Sequence, residues 1–338
     1  MKSESIAVAV MSSAVGVMSS AARHLYFTCR SLAALGMTLG MAVNVPAQTN
    51  LVIISGLGGQ PEYTKQFAEQ SVALADAASS RASLPDSAIT WLGEPTAAKS
   101  KWLRGESTKV EIEGVLRRLA TGPANAQTVI VLVGHGAGEG EATRISLPGP
   151  DLTTADFRRL LGAFGHRPVA FVNLTSASGD MARLLAAPGR VVLTATKSSF
   201  ERNEARFGRY FVDAFAKEGA DTDKDDRVSL LEAFTYAQAE VKRFYETEGR
   251  LATEHAQLAD SSGLAARFFL SPGAAARAGG DAQLTALHAR KDTLDDAVRR
   301  LRARKDAMQP EAYERELERL LVALAEVSQE IRGRERSP

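Results

Sequence analysis

The 338-residue chain has almost no cysteine: Cys29 stands alone. One thiol closes no disulfide and supplies no cysteine-ligated zinc site. An excess of one charge is also missing. Lys and Arg total 41 against 40 Asp and Glu, a net of +1. Without a basic field nothing gathers phosphates, so nucleic-acid binding is not expected. Hydrophobic residues at 45% and charged residues at 24% match the soluble globular norm, which excludes a disordered chain, a collagen and a polytopic membrane protein.

What is present begins with residues 1–47, which read as an export signal. Arg23 and Arg30 precede an apolar run over residues 32–45, too short to span a bilayer comfortably, and Val45-Pro46-Ala47 places small residues at a cleavage site after Ala47. A periplasmic or secreted protein is therefore expected. Cleavage removes Cys29, so the mature chain has no thiol, and its net charge becomes about −1.

From there, apolar runs alternate with helical patterns. Leu51-Val52-Ile53-Ile54 runs into Ser55-Gly56-Leu57-Gly58-Gly59; residues 63–78 read as a helix and 88–92 as a strand. Residues 109–119 read as a helix, and 128–133 as the clearest buried strand, ending at Gly134-His135-Gly136. Thr153 or Thr154 caps a helix through Phe164; 169–173 is a strand, 178–187 a helix, and 190–196 a strand. Strands that are apolar throughout, and separated by helices, predict an α/β fold with a parallel sheet covered on both faces. Function then gathers at the carboxyl ends of the strands.

Residues 281–333 predict a C-terminal α-helical hairpin or coiled coil, with apolar residues at three-four spacing and Pro310 opening its second helix. Lys291 and Lys305 interrupt the seam. Either the pair packs on its own domain or it serves self-association. Residues 274–280 read as its linker.

One place carries the means of nucleophilic chemistry. His135 follows a buried strand between two glycines, and the Gly136 N–H is a candidate oxyanion donor. One strand later comes Asn173-Leu174-Thr175-Ser176-Ala177-Ser178-Gly179. A hydroxyl there, Ser176 or alternatively Thr175, comes near His135 if the two strands are adjacent. No acidic partner for His135 is evident; Glu139 and Glu141 are its sequence neighbours. His166 reads as a surface residue, and His255 and His288 as ordinary surface histidines on helical stretches.

The order of these elements resembles the caspase–legumain (hemoglobinase-fold) peptidase superfamily. Val131-Leu132-Val133-Gly134-His135-Gly136 is similar to its histidine strand, and Phe171 through Gly179 to its nucleophile strand, with Ser178-Gly179 as anchor. Arg206-Phe207-Gly208-Arg209-Tyr210-Phe211 is similar to the helix start that follows. The resemblance implies a three-layer sheet with helices on both faces over residues 48–273. It also departs from the family, because the cysteine aligns with Ser176 or Thr175. A hydroxyl lacks the easy ionisation of a thiol and needs a well-placed base. The expectation is a peptidase-like protein without cysteine catalysis that binds a peptide or protein. The rivals are a serine-type hydrolase using Ser176 and His135, and an assembly protein acting through residues 281–333.

Residues 221–232 fit a twelve-residue EF-hand spacing. Asp221, Asp223 and Asp225 take positions one, three and five; the Arg227 carbonyl takes seven, Ser229 nine and Glu232 twelve. Calcium needs several hard oxygens at one point, and this spacing predicts a Ca2+ site. Asp226 stands at position six, where glycine normally makes the turn, and must adopt a left-handed backbone.

Overall fold

The computed structural model describes residues 48–94 and 99–336. The expected export signal lies outside them.

The chain runs β1 (Thr49–Ser55), α1 (Pro61–Ser80), β2 (Ile89–Gly93), β3 (Leu103–Glu106), α2 (Lys109–Ala120) and β4 (Gln127–Val133). Three two-residue strands follow, β5 (Gly136–Ala137), β6 (Arg144–Ile145) and β7 (Leu152–Thr153), then α3 (Thr154–Gly162), β8 (Val169–Asn173), α4 (Asp180–Leu184) and β9 (Arg190–Thr194). Next come α5 (Phe207–Ala216), α6 (Leu230–Thr247), β10 (Gln257–Ala259), α7 (Ala274–Arg277), α8 (Ala282–Ala303) and α9 (Pro310–Glu335). No described helix is long and apolar enough to cross a membrane.

Seven strands form one sheet in the order β10-β9-β8-β4-β1-β2-β3. All are parallel except β10, which lies antiparallel to β9. Strands β5, β6 and β7 make a small antiparallel sheet of their own.

Successive side chains of a strand point to opposite faces. Leu51 and Ile53 enter one apolar cluster with Val129 and Val131, under Phe67 and Leu74 of α1, Phe211 of α5 and Phe234 of α6. Val52 and Ile54 enter another with Ile130 and Leu132, under Ile112 of α2 and Phe157 of α3. Both faces are therefore covered, which explains the unbroken apolar strands. Each fully buried side chain of this size contributes roughly 1.5–3 kcal/mol.

Helix starts are chemically marked. Thr108 accepts from the Glu111 N–H at the head of α2. Thr153, not Thr154, caps α3, in a capping box with Asp156. The expected helix over 178–187 is shortened to α4, and Gly179 before it is wedged against the main chain of Lys197 and Ser198, where an added Cβ would meet their atoms at 2.1 Å.

Helices α8 and α9 pack on each other through Leu284, Leu287, Val327 and Ile331, and again through Val298, Leu301 and Leu320. The segment expected as a linker contains α7 and is anchored: Ala274 and Ala278 are buried.

The segment over residues 269–271 lies along the amino ends of the central strands. Gln127 donates to the Phe269 carbonyl, and Thr49 to that of Ser271. Ser229 forms an antiparallel bridge with Phe269. The acidic loop before α6 thus sits at the amino end of a sheet whose seven-residue central strands are about 20 Å long. His135 is at the other end.

Candidate functional site

His135 stands two residues beyond β4, and Thr175–Ser176 two and three residues beyond β8. The two strands are neighbours, with Leu132 registered on Asn173. Parallel pairing therefore brings both loops to one edge, as the sequence predicts for residues at adjacent carboxyl ends. The approach is close. A Cβ on Gly136 would meet the Ser176 carbonyl oxygen at 2.1 Å and Thr175 Oγ1 at 2.4 Å.

The imidazole is held on three sides. His135 Nε2 lies 3.2 Å from the Gly58 carbonyl oxygen. A carbonyl only accepts, so this bond puts the proton on Nε2 and leaves Nδ1 as the basic nitrogen of the neutral ring. Tyr63 and Phe67 of α1 meet the ring edge-on, at centroid distances of 4.7 and 5.0 Å. The Gly58 loop is itself pinned by Glu94 at the end of β2, whose Oε2 accepts from the Gly58 N–H at 3.1 Å and Thr64 Oγ1 at 2.8 Å. The orienting group behind His135 is thus a main-chain carbonyl. Of the two carboxylates near it in sequence, Glu139 is exposed and Glu141 pairs with Arg158.

The hydroxyls face elsewhere. Ser176 Oγ donates to the Gly136 carbonyl at 3.4 Å, and Thr175 Oγ1 to the Ser176 carbonyl at 3.1 Å. Among the described residues neither hydroxyl is hydrogen-bonded to His135. Gly136 belongs to β5, registered on Ile145. Thr175 is buried, and the Asn173 side chain accepts from its N–H at 3.0 Å. Ala177 follows with a φ of 51°, a left-handed backbone that costs an L-residue about 1–2 kcal/mol. Its N–H donates to the Glu201 carbonyl at 2.8 Å, and Ser178 meets Thr196 at 3.2 Å. In this turn the Ser176 and Thr175 hydroxyls are aimed at main chain.

The other histidines divide. His166 is exposed, as expected. His255 is not on a helix but in the segment before β10, with Nδ1 2.6 Å from Glu201. His288 is on α8 and buried rather than on the surface.

At the opposite end, Asp221, Asp223 and Asp225 each offer a carboxylate oxygen within 4.8 Å of the others, a group that could hold a metal ion. Asp226 has a φ of 66°, the left-handed backbone required at that position, and Lys224 one of 62°. Asp223 Oδ1 is buried and has no hydrogen-bond partner among the described residues, which leaves an acceptor ready for a cation. The donor set is hard oxygen, and it fits a hard divalent cation. Ser229 and Glu232 stand beside it, with Glu232 Oε1 accepting from the Asp223 N–H at 3.4 Å. Ser229 caps α6 and Glu232 completes its capping box, while Glu232 Oε1 also accepts from the Thr222 N–H at 2.9 Å. Arg227 turns its guanidinium onto Asp225, 3.1 Å away.

Sequence reasoning missed the cations that reach this loop from α8. Arg299 Nη1 lies 3.5 Å from Asp223 and 3.8 Å from Asp225, and Lys291 Nζ donates to the Asp225 carbonyl at 3.2 Å. Burial pushes the Asp225 carboxyl up to about 6, with Asp223 and Asp295 adding to the rise against the pull of Arg227 and Lys291. Asp223 is raised as well, by burial and then by Glu232.

No protein-family model matches the chain, and no curated protein matches it.

Proposed function

We propose that this is an exported homologue of the caspase–legumain peptidases that has lost cysteine catalysis, binds calcium through residues 221–232 and takes a peptide or protein ligand. The carrying observation is the pair of loops at the carboxyl edge. The histidine loop and the nucleophile loop follow neighbouring parallel strands and touch, yet Ser176 and Thr175 give their hydroxyl protons to main-chain carbonyls and not to His135. A hydroxyl without its base in reach is not activated at neutral pH. The strand order, with one antiparallel strand at the edge next to β9, supports the family reading, as does the position of His135 relative to Ser176. Leu57 and Phe200, both exposed, stand on loops at the same edge and suit contact with apolar side chains of a ligand.

The calcium reading rests on the three converging aspartates, the orphaned Asp223 oxygen and the left-handed Asp226. Bound there, the ion would supply structural cross-linking of the loop, through Asp221, Asp223 and Asp225.

One observation favours the hydrolase alternative. The Gly58 carbonyl already orients the His135 ring and leaves Nδ1 free to act as base. Assembly through residues 281–333 is the third reading; α9 leaves Leu321 and Val322 exposed. A fluorophosphonate serine-hydrolase probe, read by intact mass with and without calcium, tests the first against the second. The folded protein is expected to stay unlabelled. A single adduct that disappears in both Ser176→Ala and His135→Ala overturns the inactive reading and establishes the hydrolase.

A further inference from the structure

Six of the eight buried side-chain polar atoms left without a hydrogen bond among the described residues gather at one contact. They are Asp223 Oδ1, Arg227 Nε, Arg277 Nε, His288 Nε2, Asp292 Oδ1 and Arg299 Nε. The contact joins the acidic loop before α6 to α7 and α8. Charge is matched there. Arg299 bridges Asp223 and its own neighbour Asp296, the latter at 2.7 Å, and Arg227 bridges Asp225 and Asp292, both at 3.1 Å. Hydrogen bonding is not matched, and buried polar atoms without partners cost free energy. The helix therefore docks on the loop through ion pairs and the hydrogen bond from Lys291 to the Asp225 carbonyl, with buried polar atoms left unpaired, an arrangement that another cation can improve on.

We infer that Arg299 is a built-in competitor for the cation of this loop, so that metal binding releases α8 from it and docking of α8 weakens metal binding. This rests on the calcium reading above. The competition is for the same carboxylates, Asp223 and Asp225. A calcium ion needs carboxylate oxygens at 2.3–2.6 Å. Arg299 Nη1 is already 3.5 Å from Asp223 Oδ2 and 3.8 Å from Asp225 Oδ2. A divalent ion on those carboxylates would leave the guanidinium facing a dication a few ångströms away, with the charge it pairs with taken up by the ion. Arg299 has somewhere to go, since Asp296 stays with it on the same helix. Lys291 is placed to matter less, because its bond is to the Asp225 main-chain carbonyl. A cleft of about 1060 Å3 opens beside this contact, lined by Asp225, Arg277, His288 and Ile331. By reciprocity, whatever the cation gains from displacing α8, α8 loses from the cation.

The test is calcium titration calorimetry on the full chain, comparing the parent with Arg299→Gln and Lys291→Gln, with hydrogen exchange of α8 followed in parallel. Circular dichroism confirms that each variant is folded, and Arg299→Lys, which keeps the charge but not the planar fork, serves where Gln does not fold. Arg299→Gln is expected to bind calcium about fivefold more tightly or better, with a smaller gain for Lys291→Gln. Calcium should also speed exchange along α8 in the parent. For Arg299→Lys the expected affinity lies between parent and Gln. Equal or weaker calcium binding by the Arg299 variant overturns the latch while the calcium site stands. Absence of calcium binding in the parent and in every variant overturns the calcium reading, and the latch with it.

Discussion

The meeting of the His135 and Ser176 loops can be tested by adding a single carbon. In Gly136→Ala the new Cβ would lie 2.1 Å from the Ser176 carbonyl oxygen and 2.4 Å from Thr175 Oγ1. Carbon contacts normally begin near ~3.5 Å. The oxygen is main chain and cannot rotate aside, and Thr175 Oγ1 is fixed by its own hydrogen bond. Relief therefore requires the two loops to part by about an ångström. Overpacking of this kind costs roughly 1–3 kcal/mol. The bond from Ser176 Oγ to the Gly136 carbonyl is lost as well, about 1 kcal/mol. Alanine restricts the unfolded chain and returns roughly 0.4–1 kcal/mol. The net expectation is a loss of about 2–3 kcal/mol, or about 4–6 °C in Tm for a chain of this size. Gly162, at the end of α3, is the control: nothing lies within 4 Å of its added Cβ, so Gly162→Ala should be neutral or stabilise by about 0.5 kcal/mol. Urea and thermal unfolding followed by far-ultraviolet circular dichroism give both values. A Gly136→Ala protein that melts within a degree of the parent would refute the close approach, and with it the placement of Ser176 against the histidine loop.

Calcium at a hundredfold excess over its Kd should stabilise the folded chain by about 2.7 kcal/mol, and Asp223→Asn or Asp225→Asn should abolish the gain in a thermal shift assay. The Asp156 carboxyl, despite partial burial, is held down at about 2 from an ordinary 3.8 by Lys109 and by the N–H and hydroxyl of Thr153. Its contribution is present above pH 3.8 and lost as pH falls through about 2. After allowance for solvent screening it is about 1 kcal/mol. Urea unfolding across pH should show that drop in the parent and a flatter profile in Asp156→Asn; parallel profiles would count against Asp156 as its source.

What was legible in the chain was whatever is local or buried on two faces. The apolar runs of β1, β4 and β8 announce themselves because, Asn50 apart, every side chain on them is buried. Strand β3, Leu-Arg-Gly-Glu, lies at the sheet edge with Arg104 and Glu106 among its four residues, and carries no such signal. The pairs of residues in β5, β6 and β7 are too short for any period to register. The group that orients His135 was invisible for a different reason. It is a carbonyl, and every residue has one; only the Gly-rich turn after β1 hinted that backbone comes close there. The acidic loop was readable because its spacing fits within twelve residues.

Its cationic partners were not readable from the loop, since Arg299 lies 76 residues beyond Asp223. They left a trace all the same. Lys291 breaks the apolar seam of α8, and Asp295, one turn later, is buried at 5% exposure. A lysine and an aspartate on the inward side of an amphipathic helix are costly unless something charged waits for them. In a coiled-coil seam they would mark register. Here Lys291 bonds to the Asp225 carbonyl and Asp295 lies 3.6 Å from Arg227, so the same two residues identify the loop as what the helix docks on. A charged interruption in a helical seam, set beside an acidic loop elsewhere in the chain, is thus a joint signal for contact, and it can be sought in any sequence where both occur.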